Sequence, residues 1–298
     1  MIARPRRSVL YMPGSNARAL EKARSIPADA LILDLEDSVA PESKASARQQ
    51  VCDAARAGGY GRREIAIRVN GIDSAWFLED MAAAIAVAPD AIVVPKVSSP
   101  DDLDAVARVL GTERAPAKIR IWAMMETPLA VLEAGAIARA ARVFPACRLD
   151  VLVIGTNDLA KETRAVMEPG RAAFLPWLMT FVAAGRAYGL DVLDSAYNDF
   201  RDADGFRAEC RQARNLGFDG KTLIHPDQVA IANEVLASTA DEIAWARRII
   251  AAFEAPDAQG KGVISLDGRM VELLHAEQAR RTIAIADAIA ARLEQPGS

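Results

Sequence analysis

Two carboxylates in the middle of the chain point most directly to chemistry. Glu126 and Asp158 each follow a strongly apolar stretch, and neither has a histidine or cysteine nearby in the sequence. If the two stretches are neighbouring strands, about 4.8 Å apart, both side chains can converge on one ion. Such a pair favours a hard cation, Mg²⁺ with Mn²⁺ as an alternative, with water and a chelating substrate filling the remaining positions. Helix capping by the two carboxylates is the alternative interpretation, because a helical stretch follows each of them.

An arginine and two acids follow other apolar stretches in the same way. Arg68 lies in IRVNG, and its guanidinium fork can bind a carboxylate or a thioester enolate oxygen at two points. Glu36 and Asp37 end the run LILDLED, in which strand alternation places Asp34 and Glu36 on one face. We expect one of these acids to orient Arg68 and another to hold metal-bound water. A structural Arg68–Glu36 ion pair and a solvated loop are the alternatives.

A turn near the N-terminus predicts an anion site. Pro13 and Gly14 precede a helical stretch in which Arg18 and Lys22 lie four residues apart, and therefore on one face. Backbone N–H groups at a helix start, together with two cations, are suited to phosphate. Solvated helix charges are the alternative.

These residues need a fold that brings the ends of many strands together. Eight apolar stretches rich in Val, Ile and Leu, typical of parallel strands buried on both faces, span residues 8–12, 30–35, 64–69, 91–95, 119–125, 150–154, 191–194 and 221–224. Amphipathic helices are predicted between them, among others over residues 44–57, 100–110, 128–141, 171–188 and 202–216. The pattern predicts an α/β fold, a (βα)8 TIM barrel, whose strands all end at one mouth. We expect the barrel over residues 1–255 and a C-terminal helical lid or arm over 256–298.

Composition narrows the class of protein. The chain has 298 residues and a net charge of −4, without the basic stripe of a nucleic-acid-binding protein. No apolar run reaches the ~20 residues of a membrane span, and no signal peptide is evident. Three cysteines without CxxC spacing predict reduced thiols in a cytoplasmic enzyme. His225 and His275 are too few for a histidine-rich zinc site.

The motifs occur in an order that resembles a known family. They are YMPGSNARALEKA, LILDLEDSVAPESKASAR, IRVNG, VPKV, METPLAV, GTNDLA, LIHPDQ and GKGVISLDGRM. The chain is similar to CitE-like acyl-CoA lyases, the citrate lyase β-subunits and malyl-CoA or citramalyl-CoA lyases of the HpcH/HpaI aldolase superfamily. The resemblance implies Mg²⁺ on Glu126 and Asp158, and Arg68 at the oxo-acid and thioester oxygens. It also implies coenzyme A contacts from residues 13–22, and an arm that closes over a neighbouring subunit in a homotrimer or hexamer.

The tail departs from the family pattern. Family tails often read GxMID, in which the aspartate serves as an acid, whereas this chain reads GRMVE at residues 268–272. We expect Glu272 to take the place of that acid, with Asp267 as the alternative. GTNDLA also differs from the GADDF version of many relatives, which places the chain in a side branch and leaves the acyl group open.

We therefore predict an Mg²⁺-dependent carbon–carbon lyase. Its substrate would be a 3-hydroxyacyl-CoA such as malyl-, methylmalyl- or citramalyl-CoA, cleaved into or formed from an acyl-CoA and glyoxylate or pyruvate. The predicted catalytic residues are Arg68, Glu36, Asp37 and Glu272. The alternatives are a citryl-carrier lyase β-subunit within a complex, a CoA-independent class II pyruvate aldolase, and a barrel that binds acyl-CoA without turnover. The reaction direction and a thioesterase step stay open.

Overall fold

The computed structural model describes residues 4–293, which divide into two compact units: Arg6–Leu236, and Ala237–Leu293 together with Arg4 and Pro5. In the first unit, parallel strands close into a barrel in sequence order. These strands are β1 Ser8–Pro13, β2 Ala30–Asp34, β3 Glu64–Arg68, β4 Ala91–Val94, β5 Arg120–Met125, β6 Leu149–Ile154, β7 Asp191–Asp194 and β8 Gly220–Leu223. The predicted (βα)8 TIM barrel is confirmed.

Helices connect and cover the strands of the barrel. They are α1 Ala17–Lys22, α2 Lys44–Ala57, α3 Phe77–Val87, α4 Pro100–Thr112, α5 Pro128–Leu132, α6 Ala134–Val143, α7 Thr156–Thr163, α8 Leu175–Tyr188, α9 Ala203–Leu216 and α10 Asp227–Val235. Short 3₁₀ turns lie at Ala23–Ser25, Pro41–Ser43 and Pro145–Cys147.

Two of the predicted helices need correction. The helix predicted over residues 128–141 is divided at Glu133, whose φ of −99° and ψ of 8° interrupt the helical backbone. The helix predicted over residues 171–188 begins only at Leu175. Arg171 has a φ of 53°, outside right-handed helical geometry, and its buried guanidinium donates to Asp194 instead.

Strand alternation explains how the barrel both folds and presents polar groups. On strands β1 to β7, one face fills the interior with apolar side chains, and the other packs mainly against the helices. Towards the mouth, the interior positions become polar on β2, on β3 and directly after β5. Asp34 lies two residues after Ile32, Arg68 two residues after Ala66, and Glu126 two residues after Met124. The face that builds the core therefore also presents the candidate site.

The second unit is small and has its own core. Its elements are α11 Ala240–Glu254, a 3₁₀ turn at Pro256–Ala258, β9 Val263–Leu266, β10 Arg269–Glu272 and α12 Leu273–Leu293. The core consists of Ala246, Ile249, Val271, Ala276 and Ala279. The GKGVISLDGRM motif at residues 260–270 contributes to an antiparallel hairpin of β9 and β10, with Asp267 and Gly268 at positive φ in the turn. The predicted boundary at residue 255 falls inside this unit, directly after α11.

None of the helices that the structure describes combines the length and apolar character needed to cross a membrane.

Candidate active site

Arg68 stands at the mouth of the barrel and is held by a neighbouring strand. Asp34 on β2 is its register partner, and Arg68 Nε and Nη2 donate to the two carboxylate oxygens of Asp34 at 2.6 and 2.7 Å. Burial alone would lower the pKa of Arg68, but the adjacent charges of Asp34 and Glu36 raise it well above its ordinary value. The guanidinium is therefore fixed in orientation and stays cationic, which suits a substrate oxygen that becomes negative.

Glu36 and Asp37, the two predicted acids, have different surroundings. Glu36 is buried, and its Oε2 lies 2.8 Å from Arg68 Nη1 but has no aligned hydrogen-bond partner within residues 4–293. Burial, followed by the nearby charge of Asp37, raises the pKa of Glu36, although Arg68 opposes this. The side chain of Asp37 is 62% exposed and lies 3.5 Å from the same nitrogen. Glu36 thus belongs to the interior of the mouth, and Asp37 to its rim.

Glu126 is a buried carboxylate at the end of β5. Its Oε1 accepts a hydrogen bond of 2.9 Å from the backbone N–H of Lys96, and Gly155 packs against its other side. Burial raises the pKa of Glu126 to about 8, with further contributions from the negative charges of Glu36 and Asp158. Three acids therefore face one another closely enough to repel.

Neither carboxylate of the metal pair forms a side-chain capping hydrogen bond, although Asp158 lies at a helix start as the capping alternative expected. The helix after Glu126 is capped by the side chain of Thr127, which accepts from Ala130 N–H. The helix that carries Asp158 begins after Gly155, without a side-chain capping bond. Asp158 lies in the first turn of α7 with its side chain 24% exposed, so its carboxylate is open to the mouth.

The donor set fits a hard divalent cation. Within the described part of the chain, no group of three or more His, Cys, Asp or Glu side chains is arranged around a metal position. Mg²⁺ does not need such a group, because one or two carboxylates with waters and substrate oxygens suffice. A divalent cation at Glu126 and Asp158 would also relieve the repulsion that raises the pKa of Glu126.

Lys96 is a functional candidate that was not among the predicted site residues. Its ammonium lies 3.4 Å from Glu36 Oε1 and 4.0 Å from Asp158 Oδ1, and its backbone has a φ of 55°. The left-handed conformation aims its N–H at Glu126 while the side chain reaches the other two acids. Its position just after β4 is the feature of the sequence that could have identified it. Its contacts with Glu126 and Asp158 could not be predicted, because those residues follow β5 and lie on α7.

A cavity of about 480 Å³ extends the mouth beside Glu36 and Lys96. Trp76 and Ile72 contribute apolar surface, and Lys44 borders it while donating to the carbonyls of Leu35 and Glu36 at 2.9 and 2.7 Å. The cavity offers room for part of a ligand beside Glu36, the ion-pair partner of Arg68.

The N-terminal turn contains the predicted residues, but one has another role. Gly14, which follows Pro13, donates its N–H to the Asp34 carbonyl at 2.8 Å, and an added Cβ would lie 2.3 Å from that oxygen. This glycine therefore serves the close packing of β1 on β2, and its N–H is not free for a phosphate. Arg18 and Lys22 are exposed on α1 and stay candidates for phosphate binding.

The tail residues and histidines have local partners. Glu272 ends β10, and its backbone N–H donates to His275 Nδ1 at 2.9 Å. Asp267, at the hairpin turn, pairs with Arg248. His225, just after β8, stacks on Phe200 with ring centroids 4.4 Å apart.

Similarity to known proteins covers nearly the whole chain. Residues 7–226 match the family described as HpcH/HpaI aldolase/citrate lyase. The chain is 48% identical over 289 residues to a (3S)-malyl-CoA thioesterase of Cereibacter sphaeroides, covering 97% of each chain. It is 34% identical over 313 residues to an L-malyl-CoA/beta-methylmalyl-CoA lyase of the same species, again covering 97% of each.

A solved structure shares the fold. Protein CitE from Mycobacterium tuberculosis, in complex with magnesium, acetoacetate and coenzyme A, matches with a TM-score of 0.71 and 26% identity. The match covers 92% of this chain and 97% of that one.

Proposed function

The chain belongs to the HpcH/HpaI aldolase/citrate lyase family, and from this premise we propose that it is an Mg²⁺-dependent enzyme acting on malyl-CoA, with thioester hydrolysis as its main reaction. The observation that carries this choice is the 48% identity to a (3S)-malyl-CoA thioesterase over 97% of both chains. Family membership agrees with the predicted family and with the prediction of an enzyme. Carbon–carbon cleavage, the predicted reaction, becomes the second candidate.

The malyl group carries oxygens that match the two carboxylates. Its carboxylate and the neighbouring hydroxyl form a chelating pair, which Mg²⁺ held by Glu126 and Asp158 would bind and polarise as a Lewis acid. Lys96 lies within 4.0 Å of Asp158 and adds a positive charge to the same region. These residues would orient the hydroxy-acid end of the substrate.

Arg68 would stabilise the charge that develops at the other end of the malyl group. Hydrolysis builds negative charge on the thioester oxygen in a tetrahedral intermediate, and carbon–carbon cleavage builds it on the same oxygen as an enolate. A preoriented donor aimed at that oxygen lowers the barrier of either reaction. Asp34 supplies the preorientation through its two hydrogen bonds.

For hydrolysis, water adds to the thioester carbon and the carbon–sulfur bond then breaks. Malate leaves with the new oxygen, and the coenzyme A thiolate takes up the proton that the water gives up. Glu36 is the acid we assign to this proton transfer, because its Oε2 lacks an aligned hydrogen-bond partner in the part of the chain that the structure describes. Asp37 would act from the rim, through Arg68 Nη1.

Carbon–carbon cleavage is favoured by the 34% identity to an L-malyl-CoA/beta-methylmalyl-CoA lyase over 97% of each chain. The bond between the hydroxyl-bearing carbon and the methylene carbon breaks as the hydroxyl gives up its proton to water at the mouth. Glyoxylate and the enolate of acetyl-CoA result, and the enolate is then protonated at carbon. We assign that protonation to Glu272, with Asp267 as the alternative, in an arm that closes over the mouth of a neighbouring subunit in a cytoplasmic homotrimer or hexamer.

Product analysis tests the proposal. Purified protein would be incubated with (3S)-malyl-CoA and MgCl₂, with free thiol, malate, acetyl-CoA and glyoxylate measured over time. We expect thiol and malate in equal amounts without glyoxylate. Acetyl-CoA and glyoxylate in equal amounts would establish the lyase reaction instead. A parallel incubation with acetyl-CoA as the substrate shows whether free thiol arises from hydrolysis of that product. No product of either kind would contradict both reactions on this substrate.

A further inference from the structure

Two hydrogen-bond donors at the barrel mouth converge on one sulfur atom. The hydroxyl of Tyr11 and Nη1 of Arg68 each lie 3.9 Å from Met124 Sδ. A thioether sulfur is a weak acceptor, so it satisfies neither donor well. Arg68 Nη1 also lies 2.8 Å from Glu36 Oε2, but this nitrogen carries two N–H groups and can serve both sides. An oxygen atom placed between them would receive two hydrogen bonds that the sulfur receives poorly.

The position of Tyr11 follows from the strand that carries it. It lies on the interior face of β1, two residues after the buried Val9, and its ring lies 4.8 Å from the Arg68 guanidinium carbon. Burial raises the pKa of Tyr11 above its ordinary value, and Glu126 adds to this, while Arg68 opposes it. The phenol therefore keeps its proton at neutral pH and acts as a donor.

We propose that Tyr11 is a further catalytic residue, whose hydroxyl and Arg68 Nη1 together bind the thioester oxygen of the substrate. The inference rests on the proposed function for the identity of that oxygen, but not on which bond breaks. Both candidate reactions make the oxygen negative, and both gain from a second donor that is already in place. Met124 marks the position before substrate binds.

Tyr11→Phe separates this role from simple packing. The substitution keeps the ring over Arg68 and removes only the hydroxyl. We expect kcat to fall by about 10²-fold, with KM nearly unchanged, because the bond strengthens as charge develops. Tyr188→Phe, which removes a partly buried hydroxyl at the end of α8, is the matched control and should leave kcat unchanged. Unchanged kcat in Tyr11→Phe would overturn the proposal.

A measurement without turnover distinguishes this proposal from the proposed function. Acetyl-CoA, isotope-labelled at the thioester carbonyl, would be bound in the presence of Mg²⁺ and its carbonyl stretch recorded by infrared spectroscopy. We expect a shift to lower frequency in the wild type and a smaller shift in Tyr11→Phe. An equal shift in both would overturn the role of Tyr11 and leave the proposed function standing. Failure of the wild type to bind acetyl-CoA would overturn the CoA-ester function together with this inference.

Discussion

Glu126 occupies space that only a glycine at position 155 leaves free. A Cβ built on Gly155 would lie 2.4 Å from Glu126 Oε2 and 2.6 Å from Glu126 Cβ. The two residues follow neighbouring strands, β5 and β6, and the Gly155 N–H donates to the Met125 carbonyl at 3.3 Å. The position of the predicted metal ligand is therefore set by a residue that cannot itself bind metal.

Gly155→Ala should consequently weaken Mg²⁺ binding almost as much as Glu126→Gln does. The added methyl group displaces the carboxylate, since the backbone on both sides is fixed by strand pairing. Isothermal titration with MgCl₂ measures the effect, and circular dichroism checks that the barrel is retained. Gly111→Ala on α4 is the control, because an added Cβ meets no atom within 4 Å there. Normal Mg²⁺ affinity in Gly155→Ala would show that Glu126 is not a ligand or that it relocates freely.

Arg68→Lys should lose nearly as much catalytic activity as Arg68→Ala. A single ammonium cannot form both hydrogen bonds to Asp34 while also reaching the substrate oxygen. Loss of one such donor costs about 10²–10³-fold in kcat. Steady-state kinetics on the turned-over CoA ester measures this, and recovery of most activity by lysine would mean that position 68 supplies charge alone.

The sequence predicted the barrel and the polar residues at its mouth because both follow from one strand pattern. Arg68 and Glu126 could be found as polar residues at the ends of apolar stretches. Asp34 was recognised only as lying on the same face as Glu36, because its pairing with Arg68 depends on the register of β2 and β3. Strand register is decided by packing across the sheet, which a single sequence does not display.

The role of Gly14 and the start of α8 could not be predicted from the sequence, because both depend on contacts with neighbouring elements. Gly14 was interpreted as part of a phosphate turn. The structure shows that a glycine is needed there because a Cβ would collide with the carbonyl oxygen of Asp34. The start of the helix after Arg171 was predicted too early, because the helical pattern does not reveal that its guanidinium is buried against Asp194.

Asp194 should make the free energy of unfolding decrease in acid. It is fully buried and accepts from Lys221 Nζ at 2.8 Å and Arg171 Nη1 at 2.7 Å. Burial alone would raise the pKa of Asp194, but these two cations lower it below its ordinary value. Its carboxylate therefore stabilises the fold above the unfolded pKa of about 3.9, and that contribution is lost as pH falls through the lower folded value.

Asp194→Asn should accordingly destabilise the protein by about 3–5 kcal/mol at neutral pH, since it leaves two buried cations with Glu209 as their one remaining carboxylate partner among the described residues. The difference in the free energy of unfolding between variant and wild type should become smaller below about pH 4. Urea unfolding at several pH values measures it. Asp53→Asn, which removes an exposed partner of Arg56, is the control and should cost at most about 1 kcal/mol. A difference that widens in acid would contradict the assignment.

Arg18→Ala combined with Lys22→Ala should raise KM for the CoA ester and leave kcat nearly unchanged. Both side chains are exposed on α1, where they would hold phosphates distant from the reacting bond, and such binding is equal in the ground and transition states. Arg139→Ala, an exposed cation on α6, serves as the control for general charge. A collapse of kcat with constant KM would contradict a phosphate role for this turn.

The tail acid can be tested by mixing two inactive variants. If Glu272 acts at the mouth of a neighbouring subunit, Glu272→Gln keeps a competent barrel, and Glu126→Gln keeps a competent tail. Each alone should lack carbon–carbon lyase activity, the reaction to which Glu272 is assigned, but mixed oligomers should regain that activity in about a quarter of their sites under random assortment around a ring. Co-refolding or subunit exchange followed by the malyl-CoA assay measures this, with Asp267→Asn in place of Glu272→Gln to test the alternative acid. If Glu272→Gln is inactive alone and the mixture stays inactive although mass spectrometry shows mixed oligomers, the tail acts within its own subunit; if Glu272→Gln alone is fully active, the acid lies elsewhere.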